Sequence, residues 1–322
     1  MKLKGQKKFY IILVSTVILG VILPGPGAYI RQHGWIIDSL IALMYLGIGI
    51  SVDTRSIVAG ISRWRQILYA LLVLFVITPL MAYAIYLVFL PYSSKEAMIG
   101  LMFISALATT ISSGIMLTEG RNGNCVLSMY NVVFSQILGV FVAPLVIAIV
   151  LRTQFTMVVS LSSVMWSLIR KMIFPFIIGQ CLYRFRDVLR KPAKFVSNNS
   201  IYVILYGYIG YANASGYLSK IFSELAVPFL SVAILCLAIV FFVIGTTKLF
   251  RWNYEDRVSL LFTCTMKTMS LGIPMAVLFF PDDGEVTLNV SLLIIIYYCL
   301  SMFISLVMSS IFLKPERAVE TG

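Results

Sequence analysis

The chain has 322 residues, 60% of them hydrophobic and only 12% charged, and a net charge of +12. Soluble domains carry about 25% charged residues, so this composition belongs to a polytopic membrane protein, with room for about ten helices of ~20 residues each. The single histidine, His33, and five scattered cysteines without CxxC spacing offer no basis for an all-protein zinc site. Basic residues placed between apolar spans mark orientation rather than a nucleic-acid-binding face.

In chain order, the lysine-rich start Met1–Lys8 leads into apolar Phe9–Leu23 and then Pro24-Gly-Pro-Gly27, without a small-x-small cleavage site. It reads as a first membrane helix rather than a signal peptide. Ten apolar segments follow one another at roughly 9–24, 35–51, 66–89, 97–118, 124–151, 160–183, 200–216, 227–249, 257–280 and 286–313. Short loops join them, so the chain reads as one membrane domain over 1–322. With the amino terminus inside, eighteen basic residues fall in inside loops and tails and four in outside loops (Arg31, Lys95, Arg152 and Lys220). The positive-inside rule then puts both termini in the cytoplasm, in the cell (inner) membrane. Arg170 and Lys171 lie in the outer half of the sixth segment, where they snorkel to the interface or face the interior.

Ten segments divide into halves of five, about 9–151 and 160–313. An odd number per half forces any internal repeat to be inverted. Tyr45-Leu-Gly-Ile-Gly49 parallels Tyr206-Gly-Tyr-Ile-Gly210 at an offset of 161, and Gly114 precedes Gly272 by 158.

The fourth segment carries Thr109, Thr110, Ser112, Ser113 and Gly114. Hydroxyls bonded back to the preceding turn explain such a run, and so does an unwound stretch lining a ligand. The turn Gly120–Asn124 suits a tight reversal. Beyond it Ser128, Asn131 and Ser135 fall on one helix face. The ninth segment contains Thr263-Cys-Thr265-Met-Lys267-Thr268-Met-Ser270-Leu-Gly272-Ile-Pro274. A lysine at mid-membrane depth costs at least ~2.5–3.5 kcal/mol and needs a partner or a watery cavity. Gly272 and Pro274 are expected to weaken the helix there. Lys267 reads as a structural ammonium on freed carbonyls, a partner for a substrate anion, a fixed charge replacing a cation, or a titrating group. No Asp or Glu lies mid-span, Asp38 sitting near the mouth of the second segment, so a carboxylate proton relay through the core is not expected. Two polar, Gly-interrupted segments in corresponding halves point to a transporter's binding site.

Several local patterns resemble the bile acid:sodium symporter superfamily, in its SBF-like branch. They are Gly49-Ile-Ser-Val-Asp53 with Gly60-Ile-Ser-Arg-Trp-Arg-Gln66, Ala108–Ser113, Asn122-Gly-Asn124 with Asn131, Phe174-Pro-Phe-Ile-Ile-Gly-Gln180, and Thr265–Pro274. The resemblance covers nearly the whole chain. It implies an all-α fold of ten transmembrane helices in two inverted five-helix repeats. A core of segments 3–5 and 8–10 would pack beside a panel of segments 1, 2, 6 and 7, with broken segments 4 and 9 crossing at the centre. Ser112, Ser113, Ser128 and Asn131 match the family's cation-site motif, as sodium ligands. Sodium-coupled members carry a glutamate and a glutamine in the stretch that here reads Thr263–Lys267. A lysine there would repel a cation by roughly 4 kcal/mol at 4 Å and an effective dielectric of 20.

The expectation is a secondary transporter of a small or amphipathic organic anion, working by alternating access. Its site would comprise Thr109, Thr110, Ser112, Ser113, Ser128, Asn131, Thr265, Lys267, Thr268 and Ser270. Sodium or a proton is the conceivable coupling ion, and sodium is disfavoured by Lys267. The alternative is a non-transporting membrane regulator or ion-homeostasis protein of the same fold. An enzyme is not expected, since no nucleophile–base set or metal cluster is legible.

Overall fold

A computed structural model of the protein describes residues 33–51, 61–110, 113–155, 169–185, 224–280 and 283–313, with isolated positions at 22, 25–26, 29–30 and 166. The first and seventh predicted segments, Ser112, and the Tyr206–Gly210 half of the internal match lie outside the described residues. What is described is helical. In chain order the helices are α1 (Gly34–Ser51), α2 (Trp64–Tyr92), α3 (Lys95–Ala106), α4 (Ser113–Gly120), α5 (Cys125–Phe155), α6 (Phe174–Leu182), α7 (Ala226–Leu249), α8 (Tyr254–Thr265), α9 (Met269–Phe279) and α10 (Gly284–Phe312). Four of them, α2, α5, α7 and α10, are long and apolar enough to cross a membrane. Exposed Leu, Val, Phe and Trp side chains stud these long helices. That outward apolar surface suits lipid rather than water.

The predicted fourth segment is two helices, α3 and α4, separated by non-helical Leu107–Thr110. The predicted ninth is α8 and α9, separated by extended Met266–Thr268. The second break is not where Gly272 and Pro274 were expected to put it, because α9 runs without interruption through both. Gly272 serves packing instead. A Cβ there would lie 2.6 Å from Leu107 Cδ1 and 2.8 Å from Ile294 Cδ1, so hydrogen is what lets α9 lie against the first break and α10.

α2 carries a π-turn at Val73–Ile77, and its cause is legible in Ile77-Thr78-Pro79. The Thr78 amide reaches back to Val73 O, one residue further than in an α-helix. The next donor in that register would be residue 79, a proline without an N–H. The carbonyl of Leu74 is therefore left without a helical donor.

α1 and α6 pack on each other through Gly49 and Gly179. A Cβ on Gly49 would meet Phe176 O at 2.3 Å, and one on Gly179 would meet Leu46 O at 2.3 Å. Gln180 Nε2 donates to Gly49 O at 2.7 Å. At the other end of this pair Lys171, in the π-turn Ile169–Ile173 that leads into α6, forms a 2.6 Å ion pair with Asp38 of α1, while Arg170 is exposed. So of the two basic residues in the sixth segment, one faces outward and the other binds its neighbouring helix.

Most of the buried core lies among α2, α3, α5 and α7–α10, and α1, α4 and α6 add Ile41, Met44, Tyr45, Leu117 and Phe176 to it. α4 closes with Asn122 in the left-handed region (φ 52°), and the Gly123 amide bonds Thr118 O at 2.8 Å. Asn tolerates that conformation, and this pair of features is the usual helix-stop geometry. Asn124 then caps α5 by accepting from the Leu127 amide at 3.0 Å.

Candidate functional site at the crossing of two broken segments

The two breaks meet. Thr109 and Lys267 face each other in an isolated antiparallel bridge, and the Thr268 amide donates to Ala108 O at 2.9 Å. Thr109 and Lys267 are 158 residues apart, the same interval that separates Gly114 from Gly272 and Asn131 from Asn289. α4 and α9 begin at this crossing, while α3 and α8 end there. The partial positive charge of two helix amino ends and the partial negative charge of two carboxyl ends thus converge on one place.

Lys267 is 2% exposed. Its ammonium donates to Leu107 O at 2.9 Å, Leu74 O at 3.2 Å and Ser105 O at 3.3 Å. Each acceptor has a reason to be free. Ser105 and Leu107 belong to the last turn and frayed end of α3, and Leu74 is the carbonyl orphaned by the π-turn and Pro79. An ammonium has three protons, and all three are engaged. The corresponding carbonyl of the second break, Thr265 O, accepts instead from Tyr297 Oη of α10 at 2.7 Å. Tyr297, 1% exposed, was not picked out from the sequence, where it is one aromatic in an apolar run.

The remaining predicted residues are placed as follows. Thr109 O accepts from Gln136 Nε2 at 2.7 Å. Ser113 Oγ donates to Thr110 Oγ1 at 3.0 Å, holding the start of α4 to the break. Thr265 Oγ1 donates back to Leu261 O at 2.5 Å and also pairs with Ser305 Oγ at 3.0 Å, so its hydroxyl is turned into α8 and α10. Thr268 is buried, and Ser270 lies in the first turn of α9.

Ser128 and Asn131 do share a face of α5, as their spacing predicts, and that face packs on α8. Asn124 Nδ2 donates to Asp256 Oδ1 at 2.7 Å, Ser128 Oγ pairs with Ser259 Oγ at 2.8 Å, and Asn131 Nδ2 donates to Thr263 Oγ1 at 3.1 Å. These three rungs climb seven residues of α5, about 10 Å, from the end of the bundle to the crossing. Thr118 of α4 joins the middle rung, its Oγ1 lying 2.9 Å from Ser128 Oγ. The outermost rung was missed from sequence. Asp256 sits among loop-like polar residues there, yet it is 2% exposed and also accepts from Arg63 Nη1 at 2.9 Å and Gln66 Nε2 at 3.4 Å.

The four expected sodium ligands are therefore not equivalent. Ser128 already belongs to a hydroxyl chain and Ser113 to Thr110, while Ser112 lies outside the described residues. Among the described residues of the site, the buried side-chain oxygens without a hydrogen-bond partner are Asn131 Oδ1 and Thr109 Oγ1.

Helices broken at a polar crossing inside an apolar bundle define an integral membrane protein of the transporter type. The chain belongs to the SBF-like CPA transporter family, whose model matches residues 7–314, and thereby to the bile acid:sodium symporter superfamily. It is 28% identical to the uncharacterized protein PA2026 of Pseudomonas aeruginosa, over 86% of this chain and 84% of that one. It is 24% identical to the putative symporter YfeH of Escherichia coli, over 85% and 84%. With sodium/bile acid cotransporter 7 of Rattus norvegicus it shares 28% identity over 62% of this chain and 59% of that protein.

Proposed function

We propose that this protein is a secondary transporter of a small or amphipathic organic anion, in which the Lys267 ammonium stands permanently where a coupling cation would otherwise neutralise the broken helix. The observation that carries the reading is the carbonyl cage of Leu74, Ser105 and Leu107 around Lys267. Three inward-facing carbonyl oxygens are what a bound metal cation would use, and here a tethered cation fills them.

Because all three ammonium protons are engaged, the lysine acts on an anion through its field rather than by direct contact. The direct ligands would come from the amino ends of α4 and α9 and from the hydroxyls of Thr109, Thr110, Ser113 and Thr268. Ser112 and Ser270 are further candidates in the same stretches of sequence, and Asn131 borders them through its amide oxygen. The names of the rat and E. coli relatives, a sodium/bile acid cotransporter and a putative symporter, favour an amphipathic anion as cargo. Lys267 argues that sodium is not its partner at the crossing.

The shared interval of 158 residues supports two inverted five-helix repeats, with the Thr109–Lys267 bridge near the axis that relates them. The α1–α6 pair would belong to the panel, and the rest of the described bundle to the core. Alternating access would come from relative movement of the two, with both termini in the cytoplasm.

The test is uptake of radiolabelled taurocholate and of smaller carboxylates into proteoliposomes, in sodium and in choline media. The wild type should be equally active in both, and Lys267→Gln should lose most of its uptake in either. Strict sodium dependence of the wild type ends the tethered-cation reading. Full uptake by Lys267→Gln reduces the lysine to a structural part.

A further inference from the structure

We propose that the face formed by the start of α2 and the α7–α8 turn is a binding site for the headgroup of an anionic phospholipid. Its floor is a fixed aromatic cluster. The Tyr69 ring of α2 lies 5.0 Å from Trp252 and 6.1 Å from Phe250, both in the turn, while Phe250 and Trp252 stack at 5.2 Å. The Tyr69 hydroxyl is hydrogen-bonded to the Thr246 hydroxyl of α7, which locks the two elements together.

Around this floor stand three exposed cations. Arg65 is one helical turn before Tyr69 and therefore on the same side of α2, with its guanidinium 5.5 Å from the centre of the Trp64 ring. Lys248 lies in the last turn of α7, and exposed Arg251 follows Phe250 and precedes Trp252 in the turn. Carboxylates do not cancel them. Asp256 is turned inward to Arg63, Gln66 and Asn124, which leaves Glu255 as the one acidic residue at this surface among the described residues.

Arg251 carries the sharpest signal. Its φ is 54°, its amide bonds Lys248 O at 3.0 Å, and the Trp252 amide bonds Thr247 O at 3.3 Å. That is the helix-stop geometry at whose left-handed position glycine is the favoured residue, and a non-glycine side chain is disfavoured there. Strain of this kind clusters where a side chain is wanted for binding.

Beside the cations, Trp64, Leu68, Leu249 and Phe250 are 46–77% exposed. Apolar side chains next to a basic, aromatic rim describe the level at which acyl chains give way to headgroups. A phosphodiester there satisfies the cations while its tails cover the leucines. A soluble acidic peptide would leave those apolar side chains in water, and so fits less well.

The experiment uses the purified full-length protein in a neutral maltoside, titrated with phosphatidylglycerol or phosphatidylcholine. Thermal stability and lipid retained in native mass spectrometry are the two readouts, and neither requires a transport substrate. The wild type should be stabilised by phosphatidylglycerol and retain it preferentially. Removal of each cation, in Arg65→Gln, Lys248→Gln and Arg251→Gly, should weaken retention about fivefold. Arg251→Gly is the decisive variant. Without lipid it should be at least as stable as the wild type, because glycine suits the backbone, yet it should respond less to phosphatidylglycerol. Equal stabilisation by phosphatidylcholine overturns the proposal, as does an unchanged phosphatidylglycerol preference in the three variants.

Discussion

Replacing Lys267 by Met keeps the length and apolar stem of the side chain and removes only the ammonium. Three carbonyls around a side chain that is 2% exposed then lose their donor. Hydrogen bonds to a charged donor are worth about 1.5–3 kcal/mol each. Against that loss stands the relief of removing a charge from mid-membrane depth, at least ~2.5–3.5 kcal/mol. At the centre of those ranges the variant is less stable by about 3–4 kcal/mol.

The assay is equilibrium unfolding of the purified protein in mixed micelles, followed by tryptophan fluorescence. Lys267→Gln, whose amide offers two donors, should recover about half of the loss. A double-mutant cycle localises the effect. Pro79→Ala supplies an amide for Leu74 O, so in that background Lys267→Met should cost about 1 kcal/mol less. A Lys267→Met protein as stable as the wild type would show that the cage does not hold the ammonium.

Gly49→Ala and Gly179→Ala each push a methyl group to 2.3 Å from a backbone oxygen of the facing helix, so each should destabilise by more than the ~1–3 kcal/mol of ordinary overpacking. Gly272→Ala meets the ends of Leu107 and Ile294 side chains, which can turn, and should cost less than either. Asp256→Leu leaves Asn124, Gln66 and Arg63 without their acceptor and should lower stability by about 2–3 kcal/mol. Arg63→Ala should cost less, because its side chain is 42% exposed. Single cysteines at Lys95 and Gly284 should label with an impermeant maleimide from outside intact cells, and cysteines at Arg65 and Lys248 should not. The reverse pattern ends the orientation argued from the basic loops.

The sequence shows where the chemistry concentrates, because hydroxyls, glycine and lysine stand out against an apolar background. Both breaks fall inside the stretches so marked. What spacing cannot reveal is which side of a break each residue serves. Gly272 and Pro274 looked like the cause of the second break, yet α9 contains both, since the break needs only the Thr109–Lys267 bridge and the capping of its loose carbonyls. Asp256 was overlooked because a carboxylate among loop residues looks solvated; only the approach of Arg63 and Asn124, both more than 130 positions away, buries it. Thr78-Pro79 was readable as a donor deficit in α2, but the lysine that answers it lies 193 residues from Leu74.

The two breaks are equivalent in position and different in chemistry. Leu107 and Thr265 are 158 residues apart, and each offers its carbonyl at the end of a broken helix. The first is met by an ammonium and the second by a phenol. A phenol satisfies one lone pair and brings no charge, whereas the ammonium satisfies three carbonyls and carries a full one. The negative end of α3 is thus neutralised by a residue of the opposite half, Lys267, while that of α8 is closed by α10 of its own half. One positive charge shared by two breaks makes the crossing electropositive on balance, and the amino ends of α4 and α9 add to it. On the reading proposed above, an anion would be the cargo that such a field favours. Removing each cap in turn is therefore the most informative perturbation of all. Tyr297→Phe opens only the uncharged end and should leave anion selectivity intact while lowering stability by about 1–3 kcal/mol, measured by competition uptake and by unfolding. If Tyr297→Phe changes selectivity as much as Lys267→Gln does, charge is not what distinguishes the two ends.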